Sequence, residues 1–357
     1  MNTETVNLEQ MKRSVFPLIS LLFLLFSLKS HAQLISKPFG IKVCGPEFGD
    51  SKLPGVFGVD YIYPDSAELK YFYDKGFRMI DLPFRWERVQ PVIMADLDSV
   101  EMKRMFTLLE QCNTIGLQVK LTLQNFGRYN KGDISYVIGS KNLPSAALED
   151  VWKRLADAFK DFENIYGFQI MNEPHDMYET SWFKIAQDAI NGIRSVNKVH
   201  AIFISGTEYA NAPDWKVNND QLKQLVDSCD NLIYEAHCYF DRDFTGRYLN
   251  ASGSTNKAYE YNIVNANAGI EIIKPFVKWL KKNKKKGFIG EYGVPDDDPR
   301  WLVVLDKFLS YISENGINGA YWAAGPWWGT YRLSVEPREG KDRPQMQVIE
   351  KYLSITH

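Results

Sequence analysis

From about residue 41 onward the chain alternates between short apolar, β-branched and aromatic runs and longer stretches whose apolar positions recur every three or four residues. The short runs are IKVCGPEF (41–48), MIDLPFR (79–85), QVKLTLQN (118–125), IYGFQIMNE (165–173), AIFISGTE (201–208), LIYEAHCY (232–239), GFIGEYG (287–293) and GAYWAAG (319–325). Each reads as a strand. Between them, Met102, Met105, Phe106, Leu109 and Cys112 share one helical face that Gly116 ends. Leu148, Val151, Trp152, Leu155, Phe159 and Phe162 form a second stripe, and Leu302, Leu305, Phe308, Leu309 and Ile312, closed by Gly316, a third. Strands alternating with helices imply βα units on a parallel sheet, which places the chain in the α/β class. Eight such units predict a (β/α)8 TIM barrel in a single domain, residues 33–357, a fold of ~250 residues plus insertions. An open doubly wound sheet competes, but CGPEFGDSKLPG after the first run lacks the glycine order of a dinucleotide loop.

The segment ahead of the first run does not fit that pattern. MKRSVFPLISLLFLLFSLKSHAQ opens at Met11 with two basic residues, continues through an apolar stretch and reaches Ser30-His31-Ala32. That is the layout of a secretory signal peptide with cleavage after Ala32, and Met11 reads as the true start, so residues 1–32 form a leader. The expected product is a secreted or periplasmic protein with no membrane attachment after cleavage.

Composition changes this picture little. The 357 residues carry a net charge of −2, which offers nothing to nucleic acid or to an anionic membrane. The basic run KKNKKK (281–286) follows an amphipathic segment and reads as a solvated helix end. Cys44, Cys112, Cys229 and Cys238 follow no disulfide or metal-ligand spacing and read as thiols packed as small hydrophobes. DDDP (296–299) reads as a solvated loop before a helix. The 14% aromatic content is high, and part of it is available for binding.

In a barrel of this kind the functional site is built at the C-terminal strand ends. There the sequence places Arg85, Gln124, Asn125, Asn172, Glu173, Glu208, His237, Tyr239, Glu291 and Trp322. Glu173 and Glu291 end the fourth and seventh runs, across the mouth from each other. Paired carboxylates ~5–5.5 Å apart serve retaining glycoside hydrolysis, and ~6.5–9.5 Å apart inverting hydrolysis. One must hold a proton and the other must be ionised, so their surroundings must differ. Arg85 is a permanent cation that could hold Glu291 ionised, and Tyr239 could donate to it. Trp322, Trp327, Trp328 and Tyr331, in YWAAGPWWGTY, offer aromatic faces to sugar rings.

Taken together, PFRWERVQP, MNEPH, EAHCYFDRDFTG, IGEYG and WAAGPWWG resemble glycoside hydrolase family 5, in the clan of retaining barrels and its cellulase-like branch. The resemblance covers about 41–350. It implies that Glu173 is the acid/base and Glu291 the nucleophile, with Arg85 supporting the nucleophile. It further implies Asn172 on the sugar 2-hydroxyl of the −1 subsite, His237 beside the acid/base, Tyr239 beside the nucleophile and Trp322 as the subsite floor. Cys238 alternates outward between His237 and Tyr239, and Glu235 shares their inward parity as a deeper polar anchor. His175, two residues after the acid/base, either shapes its loop or is simply structural. The family has His-Asn after the third strand where this chain has Gln124-Asn125. Glutamine hydrogen-bonds but does not titrate, so the change bears on the sugar bound rather than on the reaction.

The implied protein is a monomeric hydrolase of β-linked polysaccharide, foremost β-1,4-glucan, that needs no cofactor and no metal. The alternatives are the same chemistry on a mannan, a substituted glucan or another β-glycan, exo action included. A glycan-binding protein that has lost turnover is the reading from another class.

Overall fold

The computed structural model describes residues 39–177, 180–262 and 265–353. The leader expected at 1–32, with its start at Met11 and cleavage after Ala32, lies outside them. Eight parallel strands close into a barrel: β1 (Phe39–Val43), β2 (Met79–Phe84), β3 (Gln118–Leu123), β4 (Ile165–Gln169), β5 (Ala201–Ser205), β6 (Leu232–His237), β7 (Lys286–Tyr292) and β8 (Asn318–Ala324). Each strand pairs with the next in sequence, and β1 pairs with β8. All eight expected runs are strands, and all stop short of the expected ends, by one to five residues. Beyond β4 the backbone leaves the regular ladder to tie neighbouring loops together: Asn172 N–H donates to Leu123 O, and Phe126 N–H to Asn172 O. Gln124, Asn172, Glu173 and Tyr239 therefore stand above the barrel wall, while His237, Glu291 and Trp322 belong to the last residues of their strands.

The outer layer comprises α1 (Ser66–Asp74), α2 (Ser99–Ile115), α3 (Ser145–Ala158), α4 (Trp182–Val196), the short α5 (Trp215–Asn219), α6 (Ala268–Asn283), α7 (Pro299–Glu314) and α8 (Pro344–Ile349). Their ends follow local chemistry. Asp98 accepts from Glu101 N–H at the start of α2, and Gly116 ends it at φ 92°, where a side chain would be strained. Asp298 caps α7 ahead of Pro299, so DDDP supplies a helix start as well as a loop. The lysine run closes α6 and is solvated, with Lys284 in the left-handed cap position. The second stripe overshoots its helix: α3 ends at Ala158, while Phe159 and Phe162 lie beyond it and pack on Phe106. A hairpin of Arg128–Lys131 with Ile134–Val137 follows β3, and no strand was expected there. Cys44, Cys112 and Cys238 are buried free thiols, and Cys229 is a half-buried one.

Two helix-borne tryptophans fix strand ends that lead into the mouth. Trp152 on α3 donates from Nε1 to Ile170 O just past β4, and Trp182 on α4 donates to Ser205 O at the end of β5. Trp152 is fully buried against Phe84 and Phe168. Trp152→Ala removes that packing and orphans the carbonyl, so a loss of about 3–5 kcal/mol is expected in denaturant unfolding.

The barrel interior is layered and charged. At its base Phe203 and Phe288 meet edge to face, and the Lys120 ammonium lies 5.2 Å from each ring centroid. Lys120 donates to Asp81 at 2.7 Å and to Gln169 at 2.8 Å, and it pairs with Glu235 at 2.9 Å. Glu235, expected as a deep polar anchor, sits in this layer. A Cβ at Gly290 would collide with the Glu235 carboxylate, which explains a glycine inside β7.

Candidate active site

Above that layer the strand ends converge. One carboxylate oxygen of Glu173, one of Glu291 and a ring nitrogen of His237 all lie within 4.8 Å of one another. Glu173 follows β4 in the left-handed region, φ 45°, an uncommon state for a non-glycine residue that recurs at functional sites. His175 Nδ1 is 2.9 Å from Glu173 O and its ring stacks on Tyr209 at 4.0 Å, so it braces this turn. Glu291 belongs to β7 and is almost fully buried, whereas Glu173 faces the opening with its side chain 18% exposed.

The two carboxyl groups meet different surroundings. Glu291 Oε1 accepts from Lys42 Nζ at 2.7 Å, and its Oε2 accepts from the Tyr239 hydroxyl at 2.8 Å. Burial would raise its pKa, but His237 and Lys42 outweigh burial and hold it below the usual carboxylate range. Burial beside the Glu291 charge pushes Glu173 upward, against the pull of His237. His237 Nδ1 lies 2.6 Å from Glu173 Oε1 and 3.5 Å from Glu291 Oε2. Burial disfavours its charged form, yet Glu291 and Glu173 lift its pKa to about 9. A protonated imidazole can thus donate to one Glu173 oxygen while the other carries the acidic proton. The trio lies close enough to coordinate a cation, but Lys42 already holds Glu291 and His237 is drawn to its charged form, so the cluster is built around protons.

A cleft of about 620 Å³ opens over this pair, lined among others by Gln124, Phe126, Tyr239, Trp322 and Tyr331. Trp322 Nε1–H donates to the Tyr331 hydroxyl at 3.0 Å. Apart from His237 Nε2, which turns inward 3.6 Å from Glu235, two buried polar atoms here have no hydrogen-bond partner among the described residues, Gln124 Oε1 and Asn172 Nδ2. They form an acceptor and a donor suited to sugar hydroxyls.

Several expected placements need correction. Arg85 does not reach Glu291. Its guanidinium donates to Glu47 O and Gln124 O and lies 3.7 Å from Asp50, so it fixes the loop that presents Gln124. The cation on the carboxylate is Lys42, because β1 lies nearer β7 around the barrel than β2 does. Asn125 faces away from the cleft, accepting from Trp86 N–H and donating to Glu87, so it closes a turn. Of the rim aromatics, Trp327 stands exposed where it was expected, while Trp328 does not face the cleft. Trp327 is an exposed rim residue stacked on Phe48, and Trp328 props Trp322 and Tyr331 from behind. Glu208 is exposed on the loop after β5. Lys42 was missed, although a lysine inside an apolar run at inward parity is a readable signal.

A closed parallel barrel with two unlike carboxyl groups at the ends of its fourth and seventh strands, under an aromatic-walled cleft, defines a glycoside hydrolase. Residues 41–327 match the family described as Cellulase (glycosyl hydrolase family 5), and the chain belongs to that family. Endo-beta-1,4-glucanase B of Emericella nidulans is 33% identical over 306 residues, covering 85% of this chain and 87% of that protein. The endoglucanase Cel5A of Pseudomonas stutzeri in complex with cellobiose superposes with a TM-score of 0.82 at 40% identity, covering 89% of this chain and 92% of that one. XacCel5A in complex with cellopentaose superposes with a TM-score of 0.79 at 34% identity, covering 88% and 99%. No helix among the described residues is long and apolar enough to cross a membrane.

Proposed function

We propose that this protein is a secreted, retaining endo-β-1,4-glucanase in which Glu291 is the nucleophile and Glu173 the acid/base. The observation that carries the reading is the carboxyl pair itself, close together, with one group held ionised and the other biased toward its proton. Glu291 attacks the anomeric carbon of the −1 sugar as Glu173 protonates the departing glycosidic oxygen, giving a covalent glycosyl-enzyme. Glu173, now a carboxylate, takes a proton from water, which displaces Glu291 and restores the starting state. The single negative charge moves from Glu291 to Glu173 and back. His237, facing both, stabilises it at either place. Asn172 Nδ2 and Gln124 Oε1 supply hydroxyl contacts, and Trp322 supplies an apolar floor. The site is complete within one chain, which supports action as a monomer, and the apolar leader supports export.

The β-1,4-glucan assignment draws on the endoglucanase relatives and the cellobiose- and cellopentaose-bound neighbours. A product screen of residues 33–357 tests it. Oligosaccharides from plain β-1,4-glucan, but not from mannan, are expected. Release only from another β-glycan would move the substrate and make Gln124 its marker, and binding without release from any glycan would contradict hydrolysis.

The pH window should follow the two carboxyls. Ionised Glu291 sets the acid limb and protonated Glu173 the alkaline limb of kcat/KM. Removing His237 takes a cation away from both, so both pKa values rise. His237→Asn is therefore expected to move both limbs to higher pH, read from kcat/KM on soluble glucan. A shift of the window to lower pH would contradict this electrostatic account.

A further inference from the structure

Lys42 is a fully buried ammonium in the middle of β1. It has three donors and no acceptor. One goes to Glu291 Oε1 at 2.7 Å and another to Asn172 Oδ1 at 3.2 Å. Gln169 Nε2 also donates to that Asn172 oxygen, at 3.3 Å. With its oxygen taken by two donors, Asn172 must turn its NH2 the other way, and that Nδ2 is the unpartnered donor noted above. Lys42 thus touches both the carboxylate and the amide, one through its charge and the other through its orientation.

Building on the retaining reading above, we infer that Lys42 is a positioning residue for catalysis: from inside the barrel its ammonium holds Glu291 Oε1 and Asn172 Oδ1 together, aiming the carboxylate and leaving the Asn172 NH2 for the sugar. The charge arrangement beneath supports this. Glu291, Lys42, Asp81, Lys120, Glu235 and His237 form a chain of alternating sign that starts on one carboxyl group and ends against the other, Glu173. The steps are 2.7 Å, 3.9 Å, 2.7 Å, 2.9 Å, 3.6 Å and 2.6 Å. Asp81 is satisfied by Lys120 at 2.7 Å and by the Thr122 hydroxyl, so its hold on Lys42 is the weaker one. The Lys42 charge is therefore directed at Glu291. The Trp322 ring, 5.5 Å from Nζ, closes the remaining side and keeps the ammonium from water.

The groups facing Glu291 fix the sign of the expected effect. Lys42 comes from β1, His237 and the Tyr239 hydroxyl from β6 and its end, and Glu173 from the end of β4, with Asp81 and Glu235 behind Lys42. Without Lys42 one cation, His237, is left near Glu291, and Asp81 and Glu235 behind are countered by Lys120 and His237 alone. Glu291 then takes up a proton at higher pH. Lys42 also matters when the sugar leaves: in the second step Glu291 departs as a carboxylate, and the ammonium at Oε1 favours that departure.

The test compares Lys42→Met, Lys42→Gln and Lys42→Arg with wild type, using kcat, KM and the pH profile of kcat/KM on soluble β-1,4-glucan. Both neutral variants should lose about 10- to 1,000-fold in kcat and move the acid limb up by about 1–3 pH units. Lys42→Gln keeps a donor for Asn172, so its KM should stay nearer wild type than that of Lys42→Met. Lys42→Arg should bring the acid limb back toward the wild-type position even if its larger head group slows turnover. An unmoved acid limb in folded neutral variants would overturn the inference. So would failure of both neutral variants to fold, which would make Lys42 a strut of the barrel. Neither result touches the retaining reading, which stands or falls on the wild type and on Glu291→Gln.

Discussion

Glu291→Gln is expected to lose glucan hydrolysis by roughly 10⁴-fold or more in kcat while still binding the polymer. The amide is nearly isosteric: its one carbonyl oxygen can still accept from Lys42, while its NH2 takes the place of the oxygen that faced Tyr239, whose hydroxyl must then accept. It cannot attack the anomeric carbon, and its neutral charge leaves Lys42 buried with only Asp81, at 3.9 Å, as a close counterion. The expected pattern is an unchanged Kd for cello-oligosaccharides, measured calorimetrically, with reducing-end release at background. A moderate loss, within about tenfold, would mean that Glu291 is not the nucleophile and that its ion pair is structural.

Glu173→Ala should divide the two steps instead of removing both. On glucan, where the leaving alcohol needs a proton, a loss of about 10²- to 10⁴-fold is expected. On an aryl cellobioside with an acidic phenol the first step needs no proton and should stay fast. The second step then lacks its base, so a burst of phenol followed by a slow phase is expected. Azide, which needs no deprotonation, should restore turnover and give a β-glycosyl azide. Equal losses on both substrates, with no burst and no azide effect, would contradict the acid/base assignment.

These expectations rest on features that were unequally legible in the chain. The barrel was legible because its wall requires it: eight runs, each apolar enough to pair and be covered, separated by stripes that Gly116 and Gly316 close. The hairpin after β3 was not, because Arg128–Lys131 and Ile134–Val137 are only four residues each, and Tyr129, Tyr136 and Val137 make too short an apolar pattern among polar neighbours to stand out. Glu173 and Glu291 were legible as carboxylates that end apolar runs, and His237 and Tyr239 shared the parity that brings them to those carboxylates.

The identity of the cation on Glu291 was not legible from strand ends alone. Arg85 sits at the right height, but its guanidinium is consumed by two backbone carbonyls, and reach across a barrel depends on stagger as well as sequence. Lys42, Asp81, Lys120 and Glu235 each interrupt an apolar strand with a charge. Four such interruptions at inward parity must find partners among themselves and the charges at the strand ends, and that was the available signal for a charged barrel interior. Asn125 shows the converse case, a polar strand-end residue turned away from the cleft to satisfy Trp86 N–H and Glu87.

The most direct measurement of the central claim is covalent trapping. A 2-deoxy-2-fluoro cellobioside with a good leaving group should let the first step proceed and stall the second, because fluorine withdraws electrons from both transition states while only the first is helped by the leaving group. The account predicts time-dependent inactivation, a single glycosyl mass added to the protein, and that mass on the peptide carrying Glu291. Label on another residue, or none together with a first product of inverted configuration, would contradict it.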